Sequence, residues 1–188
     1  MIGKWVLVCG ASGAGKDSVM AWAQNHLAEQ RQVVFSRRMV TRPAQPGSDH
    51  DEVSPCCFEQ LLEQRALAWH WQAHGFGYGV STSYAAEVTA GRVVVVNGSR
   101  EHVNTLGHAW ALGHNVRVVQ VLADSHQLEQ RLHQRGRDSS HAVAQRLARN
   151  SQFADLRAEC TIVNNGALAD AGLQLAQYLS NLAAQTPD

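Results

Sequence analysis

Lysine is scarce in this sequence: only Lys4 and Lys16 accompany fourteen arginines among 188 residues. Acidic and basic side chains balance at sixteen each, so no net positive charge is available to hold nucleic acid or a membrane surface. Anions must therefore be bound locally. The planar guanidinium of arginine matches pairs of phosphate oxygens, which suits a phosphate-binding protein, although compositional bias explains the excess of arginine equally well.

Cysteines and long apolar runs are also few. The four cysteines are too few and too irregularly spaced for a disulfide scaffold, and no CxxC pair indicates zinc. The apolar run near the start has about five residues, fewer than the roughly 7 to 15 of a secretory signal, and no stretch approaches the roughly 20 residues of a membrane span. We therefore expect reduced thiols and a cytoplasmic protein without membrane or nucleic-acid partners.

Short apolar runs alternate with helical patterns, over a length that suits one domain spanning residues 1–188. The predicted strands are Trp5–Cys9, Val33–Phe35, Leu67–Trp71, Val93–Val96, Val116–Leu122 and Thr161–Val163. The predicted helices are Ser18–Glu29, Glu101–Leu112, Gln127–Arg135 and Ala167–Leu182. Val93–Val96 lacks period-two alternation, as expected for a strand covered on both faces. The pattern predicts an α/β fold with a parallel sheet, and a mobile binding loop over the proline-rich segment Ser36–Pro55.

A glycine-rich segment joins the first predicted strand to a helix. Residues 10–18 read GASGAGKDS, and GxxxxGK between a strand and a helix is the P-loop pattern. Glycines let backbone N–H groups point at phosphate oxygens, while the helix amino terminus adds positive potential. We predict that this segment binds a nucleoside triphosphate, with Lys16 on the β- and γ-phosphates. The predicted nucleotide-binding residues are Gly10, Ala11, Ser12, Gly13, Ala14, Gly15, Lys16, Asp17 and Ser18.

The residue after Lys16 departs from the P-loop pattern. A serine or threonine whose hydroxyl ligates magnesium usually stands there, but this chain has Asp17. Asn97 ends the Val93–Val96 strand, where a metal-supporting carboxylate is expected. We interpret Asp17 as a magnesium ligand, directly or through water, because Mg²⁺ prefers oxygen ligands. An acidic residue that favours the first turn of a helix explains Asp17 equally well.

These segments together resemble the guanylate-kinase family. The resemblance spans nearly the whole chain, through GASGAGKDS, SRRMVTRP, GSDHDEVS, GYGVS, VVVVNGSR and RLHQRGRD. Within that family, the segments are similar to those of the kinases that act on ribose 1,5-bisphosphate in phosphonate degradation. The resemblance implies a three-layer P-loop NTPase fold like that of nucleoside monophosphate kinases, with ATP and Mg²⁺ as cofactors. It also implies an acceptor-binding region at about 36–90 and a lid at about 131–149.

The acceptor region departs from the guanylate-kinase segment TTRxPRxGE. Arg42 matches the first arginine, whereas Gln45 and Ser48 stand in place of the second arginine and of the glutamate that reads guanine. Loss of that glutamate weakens selection for guanine, because polar sites discriminate by leaving groups unpaired. The resemblance thus favours a sugar carrying two phosphates. Its expected ligands are Arg38, Arg42, His50, Tyr78, Asn97 and Arg100.

Several of these acceptor-side residues have simpler explanations. One of the neighbours Arg37 and Arg38 is expected to be a solvated strand end. His50, flanked by two aspartates, also suits a metal site, although no second histidine lies near it in sequence. Residues 97–100 form a plausible helix-start turn with Ser99 as its cap.

Arginines near the predicted lid come in pairs. Arg131 and Arg135 are four residues apart, and Arg146 and Arg149 are three apart, so each pair projects from one helix face. The resemblance assigns catalytic roles to Lys16, Arg135 and Arg146, within a lid that closes over the triphosphate. It also assigns nucleotide contacts to Arg131 and Asn164. Solvated helix faces carry such charges too.

The resemblance implies that ATP phosphorylates ribose 1,5-bisphosphate to 5-phosphoribosyl 1-diphosphate (PRPP), a precursor of NAD. The attacking phosphate, with a second pKa of about 6, is ionised at neutral pH and needs no general base. Three alternatives stay open: a guanylate kinase that converts GMP to GDP, a non-catalytic binding module of the same fold, and a kinase for a different phosphorylated sugar. The sequence leaves the oligomeric state open.

Overall fold

A computed structural model describes residues 2–11, 13–45, 48–106, 115–134 and 156–185. Within these residues the chain forms nine strands and six helices. The strands are β1 (Lys4–Gly10), β2 (Val33–Phe35), β3 (Arg38–Val40), β4 (His50–Glu52), β5 (Leu67–Ala73), β6 (Phe76–Ser81), β7 (Val93–Asn97), β8 (Val116–Leu122) and β9 (Cys160–Val163). The helices are α1 (Lys16–His26), α2 (Pro55–Glu63), α3 (Ser83–Thr89), α4 (Arg100–Leu106), α5 (Ser125–Gln134) and α6 (Leu168–Ala184).

Five strands form a parallel central sheet in the order β2-β7-β1-β8-β9. The valines of β7 are fully buried, as their unbroken apolar run predicts. Val8 pairs with Asn97, and Gly10 pairs with Val121, so the carboxyl ends of three neighbouring strands meet at one edge. The α/β fold with a parallel central sheet is thereby confirmed, and its carboxyl edge is where open sheets of this class place ligands.

Alternating residues of β1 enter two different cores. Val6 and Val8 pack on one face of the sheet with residues of α1 and α6. Trp5 and Leu7 pack on the opposite face, where Trp69 and Trp71 of β5 cover them. Burial of each large apolar side chain contributes about 1.5–3 kcal/mol, and cover on both faces holds the strand that leads into the glycine-rich segment.

A second sheet, ordered β4-β3-β6-β5, lies within the region predicted to bind the acceptor. The prediction of a mobile loop over Ser36–Pro55 is wrong in part, because β3 and β4 lie inside it. These strands are only three residues long and carry charged residues, so they give no apolar signal. β3 pairs with β6 on one side and with β4 on the other. Tyr78, one of the expected acceptor ligands, lies within β6.

Helices α2 and α3 were not predicted, and the four predicted helices differ from the described ones mainly at their ends. Helix α1 begins at Lys16, two residues before the predicted start, because Gly15 already turns the chain with φ 80°. Helix α4 is described only to Leu106, and residues 107–114 and 135–155 lie outside the described residues. In the described part of the chain, no helix combines the length and the apolarity that a bilayer crossing requires.

Candidate active site

The glycine-rich segment follows the last residue of β1 and ends where α1 starts. Gly15 has φ 80°, and a Cβ added there would collide with the side-chain amide of Asn164. A left-handed backbone at this point is costly for any residue but glycine. Lys16 is therefore the first residue of α1, at the amino terminus of a helix that favours bound anions. Ser12 lies outside the described residues.

Two side chains hold this loop from the carboxyl edge of the sheet. The buried Asn164 amide donates from Nδ2 to the carbonyl oxygen of Ala14 at 2.8 Å. Arg131 of α5 donates to the same carbonyl at 3.4 Å and to the Asn164 carbonyl at 3.0 Å. Both residues thus support the nucleotide loop through its backbone, and their direct contact with a nucleotide stays a prediction.

Lys16 meets two side chains at the mouth of the loop. Its Nζ donates to Asp17 Oδ1 at 2.6 Å and to Asn97 Oδ1. The side chain of Lys16 is 15% exposed and that of Asp17 is 69% exposed, so the pair borders open solvent. An incoming anionic ligand can therefore replace Asp17 as the partner of the Lys16 ammonium without disturbing buried residues.

The Asp17 carboxyl group is held in its ionised form. Desolvation by the surrounding protein raises its pKa, but the charge of Lys16 and hydrogen bonds from Lys16 and Asn97 lower it by more. The net pKa lies below the ordinary value for aspartate. An ionised, solvent-facing carboxylate beside the phosphate-binding lysine fits the donor chemistry of Mg²⁺.

Asn97, the last residue of β7, connects both sides of the site. Its Nδ2 donates to Asp17 Oδ1 at 2.9 Å and to Asp49 Oδ2 at 2.6 Å. Asp49 is a site residue that the sequence analysis treated only as a neighbour of His50. The sequence feature that could have identified Asp49 was the pair of aspartates around His50, at the edge of a segment rich in arginine.

The two neighbouring arginines have opposite environments. Arg38 is buried, and its guanidinium donates to the Asn97 carbonyl at 3.1 Å and to Asp49 Oδ2 at 2.5 Å. Arg37 lies at the surface, where its Nε donates to Asp51 Oδ1 at 2.5 Å. Desolvation raises the pKa of Asp49, but the charge of Arg38 lowers it, and the net pKa is below its usual value. Only Arg38 of this pair therefore belongs to the site.

His50 stands beside this cluster, paired in register with Arg38 across β3 and β4. Its side chain is 1% exposed and its Nδ1 lies 3.5 Å from Asp49 Oδ1. Within the described residues, neither ring nitrogen of His50 nor Arg38 Nε makes a hydrogen bond. The described residues contain no group of three or more metal-ligating side chains, so the structure does not support the metal-site alternative for His50.

The other predicted acceptor ligands differ in exposure. Tyr78 is buried, with its ring centroid 5.6 Å from the Arg38 guanidinium carbon. Arg42 lies exposed after β3, and Arg100 is half-buried at the start of α4, where burial lowers the pKa of its guanidinium. Arg135, Arg146 and Arg149, predicted for the lid, lie outside the described residues.

The described site thus has two halves that meet at Asn97, and each half contains one cation paired with a carboxylate. On one side stand the glycine-rich loop and Lys16, and on the other stands Arg38 with its aspartate. Two cations that contact the same residue can hold two anionic groups close together and neutralise charge that develops between them. Such an arrangement suits transfer of a charged group between two anionic ligands.

Three named proteins are similar to this chain over nearly its whole length. Ribose 1,5-bisphosphate phosphokinase PhnN of Pseudofrankia inefficax is 40% identical over 183 residues, which cover 96% of this chain and 93% of that protein. The protein of that name from Bradyrhizobium diazoefficiens is 38% identical over 179 residues, covering 95% of this chain and 89% of the relative. The one from Agrobacterium fabrum is 38% identical over 180 residues, covering 95% and 97%.

A solved structure supports the fold independently. Guanylate kinase from Anaplasma phagocytophilum superposes with a TM-score of 0.69 over 100% of this chain and 88% of its own, at 16% identity. That likeness confirms the predicted guanylate-kinase-like fold. No protein-family model matches the chain. Because several relatives at 35–40% identity match over nearly their full lengths, this chain belongs to the family of ribose 1,5-bisphosphate phosphokinases.

Proposed function

We propose that this protein transfers the γ-phosphoryl group of ATP to the 1-phosphate of ribose 1,5-bisphosphate, giving ADP and 5-phosphoribosyl 1-diphosphate. The observation that carries the proposal is the position of Asn97. Its side chain contacts Lys16 on the donor side and Asp49 on the acceptor side, while its carbonyl accepts from Arg38. A phosphate held by Arg38 thereby lies next to one held by Lys16. The names of the relatives specify the acceptor.

The donor half binds the triphosphate through backbone N–H groups of the glycine-rich segment and through Lys16. Lys16 moves from Asp17 to the β- and γ-phosphates, where it offsets charge as the bond to the leaving group loosens. Asn164 and Arg131 keep the loop in its phosphate-binding shape through the Ala14 carbonyl. Arg135 and Arg146 complete the charge neutralisation when the lid closes.

Asp17 is the residue that would hold magnesium, directly or through water. Its carboxylate is ionised and solvent-facing, and it lies within hydrogen-bond distance of the lysine that binds the phosphates. When bound, magnesium neutralises negative charge on the β- and γ-phosphates. Asn97 then orients Asp17 through the bond from its Nδ2.

The acceptor half binds a doubly phosphorylated sugar. Buried polar atoms normally have hydrogen-bond partners, so the unpartnered nitrogens of His50 and Arg38 indicate a polar ligand or water in the working enzyme. Arg42 and Arg100 are expected to supply further positive charge to the acceptor. An acceptor with two phosphates and several hydroxyls offers oxygens to all of these donors.

The chemistry needs positioning and charge neutralisation alone. An ionised oxygen of the 1-phosphate attacks the γ-phosphorus, and the bond from that phosphorus to the bridging oxygen of ADP breaks. The attacking oxygen carries no proton at neutral pH, so no side chain has to act as a general base. Holding the two phosphates in line supplies most of the acceleration.

The two lysines of the chain provide a matched test of the donor half. Lys16→Ala is expected to fold normally and to lose at least about a thousandfold in ADP release, since Lys16 stabilises the transferring phosphoryl group. Lys4→Ala, at the opposite end of β1, is the control and is expected to keep near-normal rates. Turnover by Lys16→Ala at the control rate removes the donor assignment.

In the same assay, Asp17→Ala is expected to need more magnesium for half-maximal rate, and an unchanged titration removes Asp17 from the metal site.

A further inference from the structure

The ring of Tyr78 is enclosed on both sides. The Trp71 ring stacks on it with centroids 5.4 Å apart and planes inclined by 5°, and the Arg38 guanidinium carbon lies 5.6 Å from its centroid. β6 runs between β3 and β5. Trp71 is the direct partner of Tyr78 in β5, and Arg38 is two residues from its partner Val40 in β3. Trp71 and Arg38 thus share one face of the sheet with Tyr78 and approach its ring from opposite sides.

Both covers of the Tyr78 ring are themselves held in place. His102 of α4 stacks on Trp71 with ring centroids 5.0 Å apart. The Arg38 guanidinium is fixed by its charge-assisted bond to Asp49 and by the Asn97 carbonyl. Moving the guanidinium off the ring therefore breaks an ion pair as well as a cation–π contact.

The covered ring lies close to the phosphate-transfer site. Arg38 bonds to the backbone of Asn97, whose side chain contacts Lys16. An open aromatic face at such a place would be a platform on which a planar base stacks. Here a guanidinium fills that position, and its donors suit phosphate and hydroxyl oxygens.

We propose that Arg38 determines acceptor specificity: by covering the free face of Tyr78, it makes the site reject phosphate esters that carry a nucleobase and accept those that carry only a sugar. This inference rests on the proposed function, since it concerns the acceptor of that reaction. It assigns to Arg38 a role separate from holding a phosphate, namely exclusion of a planar group.

Two ligands that differ at C1 of the ribose test this effect. Guanosine 5′-monophosphate carries guanine at C1 and ribose 5-phosphate carries a hydroxyl there, so the ratio of their dissociation constants reports on the replacement of that hydroxyl by a base. Both are measured by calorimetry with the donor site filled by magnesium and a non-hydrolysable ATP analogue. In the wild type, the nucleotide is expected to bind no more tightly than the sugar phosphate. In Arg38→Ala, relative affinity for the nucleotide is expected to rise about fivefold or more, the effect of one stacked base.

Matched variants separate exclusion from a general loss of charge. Arg37→Ala removes the neighbouring surface guanidinium and is expected to leave the ratio unchanged. Tyr78→Leu, added to Arg38→Ala, is expected to abolish the gain, because the stacking face is gone. Arg38→Lys keeps the charge without the planar cover and is expected to raise the ratio too, which provides a second test if the alanine variant does not fold.

The outcomes distinguish this inference from the proposed function. An unchanged ratio in Arg38→Ala and Arg38→Lys overturns the specificity role, as does a wild type that binds the nucleotide at least about fivefold more tightly than the sugar phosphate. Neither result depends on turnover. Absence of wild-type turnover with ribose 1,5-bisphosphate overturns the proposed function. The ratio of the two dissociation constants is measured without turnover and still tests the role of Arg38 at the binding site.

Discussion

At the scale of single residues, the site depends on one amide. Asn97 donates to two carboxylates, Asp17 at 2.9 Å and Asp49 at 2.6 Å, and accepts from the lysine of the nucleotide loop. A carboxylate in its place would accept from Lys16 but would have nothing to donate. Because Asp17 and Asp49 are both ionised, it would also add a third negative charge between them.

The substitution Asn97→Asp tests this dependence. Each hydrogen bond to a charged group contributes about 1.5–3 kcal/mol, so we expect kcat/KM for the acceptor to fall about tenfold or more. Asn165→Asp is the matched control, because Asn165 Oδ1 accepts a bond from the Asp124 backbone N–H at 2.9 Å, and a carboxylate oxygen can accept the same bond. Steady-state kinetics on both variants give the comparison. Equal kcat/KM in Asn97→Asp and wild type would remove Asn97 from the centre of the site.

The sequence predicts the donor side of the site better than the acceptor side. Lys16 and its glycines follow a local pattern, since a strand, a loop and a helix of adjacent residues form the site. Asp49 was missed because its role depends on the pairing of β3 with β4 and on Asn97, which is 48 residues away in the chain. His50 was predicted from a resemblance, and its complete burial is visible only in the fold.

At the scale of elements, close packing of α1 against α6 supports the helix that carries Lys16. A Cβ added at Gly172 of α6 would meet the ring of Trp22 in α1. Only a residue without a side chain lets the two helices approach this closely. The position of the first turn of α1, and hence of the phosphate site, depends on that contact.

Gly172→Val tests this packing. Overpacking of a close contact costs about 1–3 kcal/mol, and we expect the free energy of unfolding to fall by that amount in urea titrations. Gly166→Val serves as the control, because a Cβ there has no neighbour nearer than 4.0 Å. Equal unfolding midpoints for the two variants would show that α1 and α6 are not closely packed at this point.

The elements that sequence patterns predict are those with long apolar runs. Val33–Phe35 and Val116–Leu122 match the observed strands at both ends, since their apolar residues enter the two cores. Helix α2 was missed although Ser54 caps it, accepting from the Cys57 N–H at 3.1 Å, and Pro55 opens it. That signal was present in the sequence. The short strands of the second sheet carry no comparable signal.

At the scale of the whole molecule, the charges of the site link folding stability to pH. Attraction to Lys16 and Arg38 outweighs desolvation and leaves the pKa values of Asp17 and Asp49 below their ordinary values. A carboxyl group whose pKa is lowered by folding stabilises the folded state above its unfolded pKa. That contribution is lost as the pH falls and both states bind a proton.

We therefore expect the free energy of unfolding to decrease as the pH falls below about 4, the ordinary pKa of aspartate. Asp49→Asn is expected to be less stable than the wild type at pH 7, and the difference should shrink in acid. Urea titrations between about pH 3 and pH 7 provide the measurement. A difference between the two proteins that grows in acid would contradict the ion-pair account of the site.

The central claim is the transfer of a phosphoryl group from ATP to a sugar phosphate. Phosphorus NMR of wild-type protein with ATP, magnesium and either ribose 1,5-bisphosphate or GMP tests it directly. We expect ADP and a sugar-linked diphosphate in equal amounts with ribose 1,5-bisphosphate, and little or no GDP with GMP. Comparable turnover of GMP, or no diphosphate formed on the sugar, would contradict it.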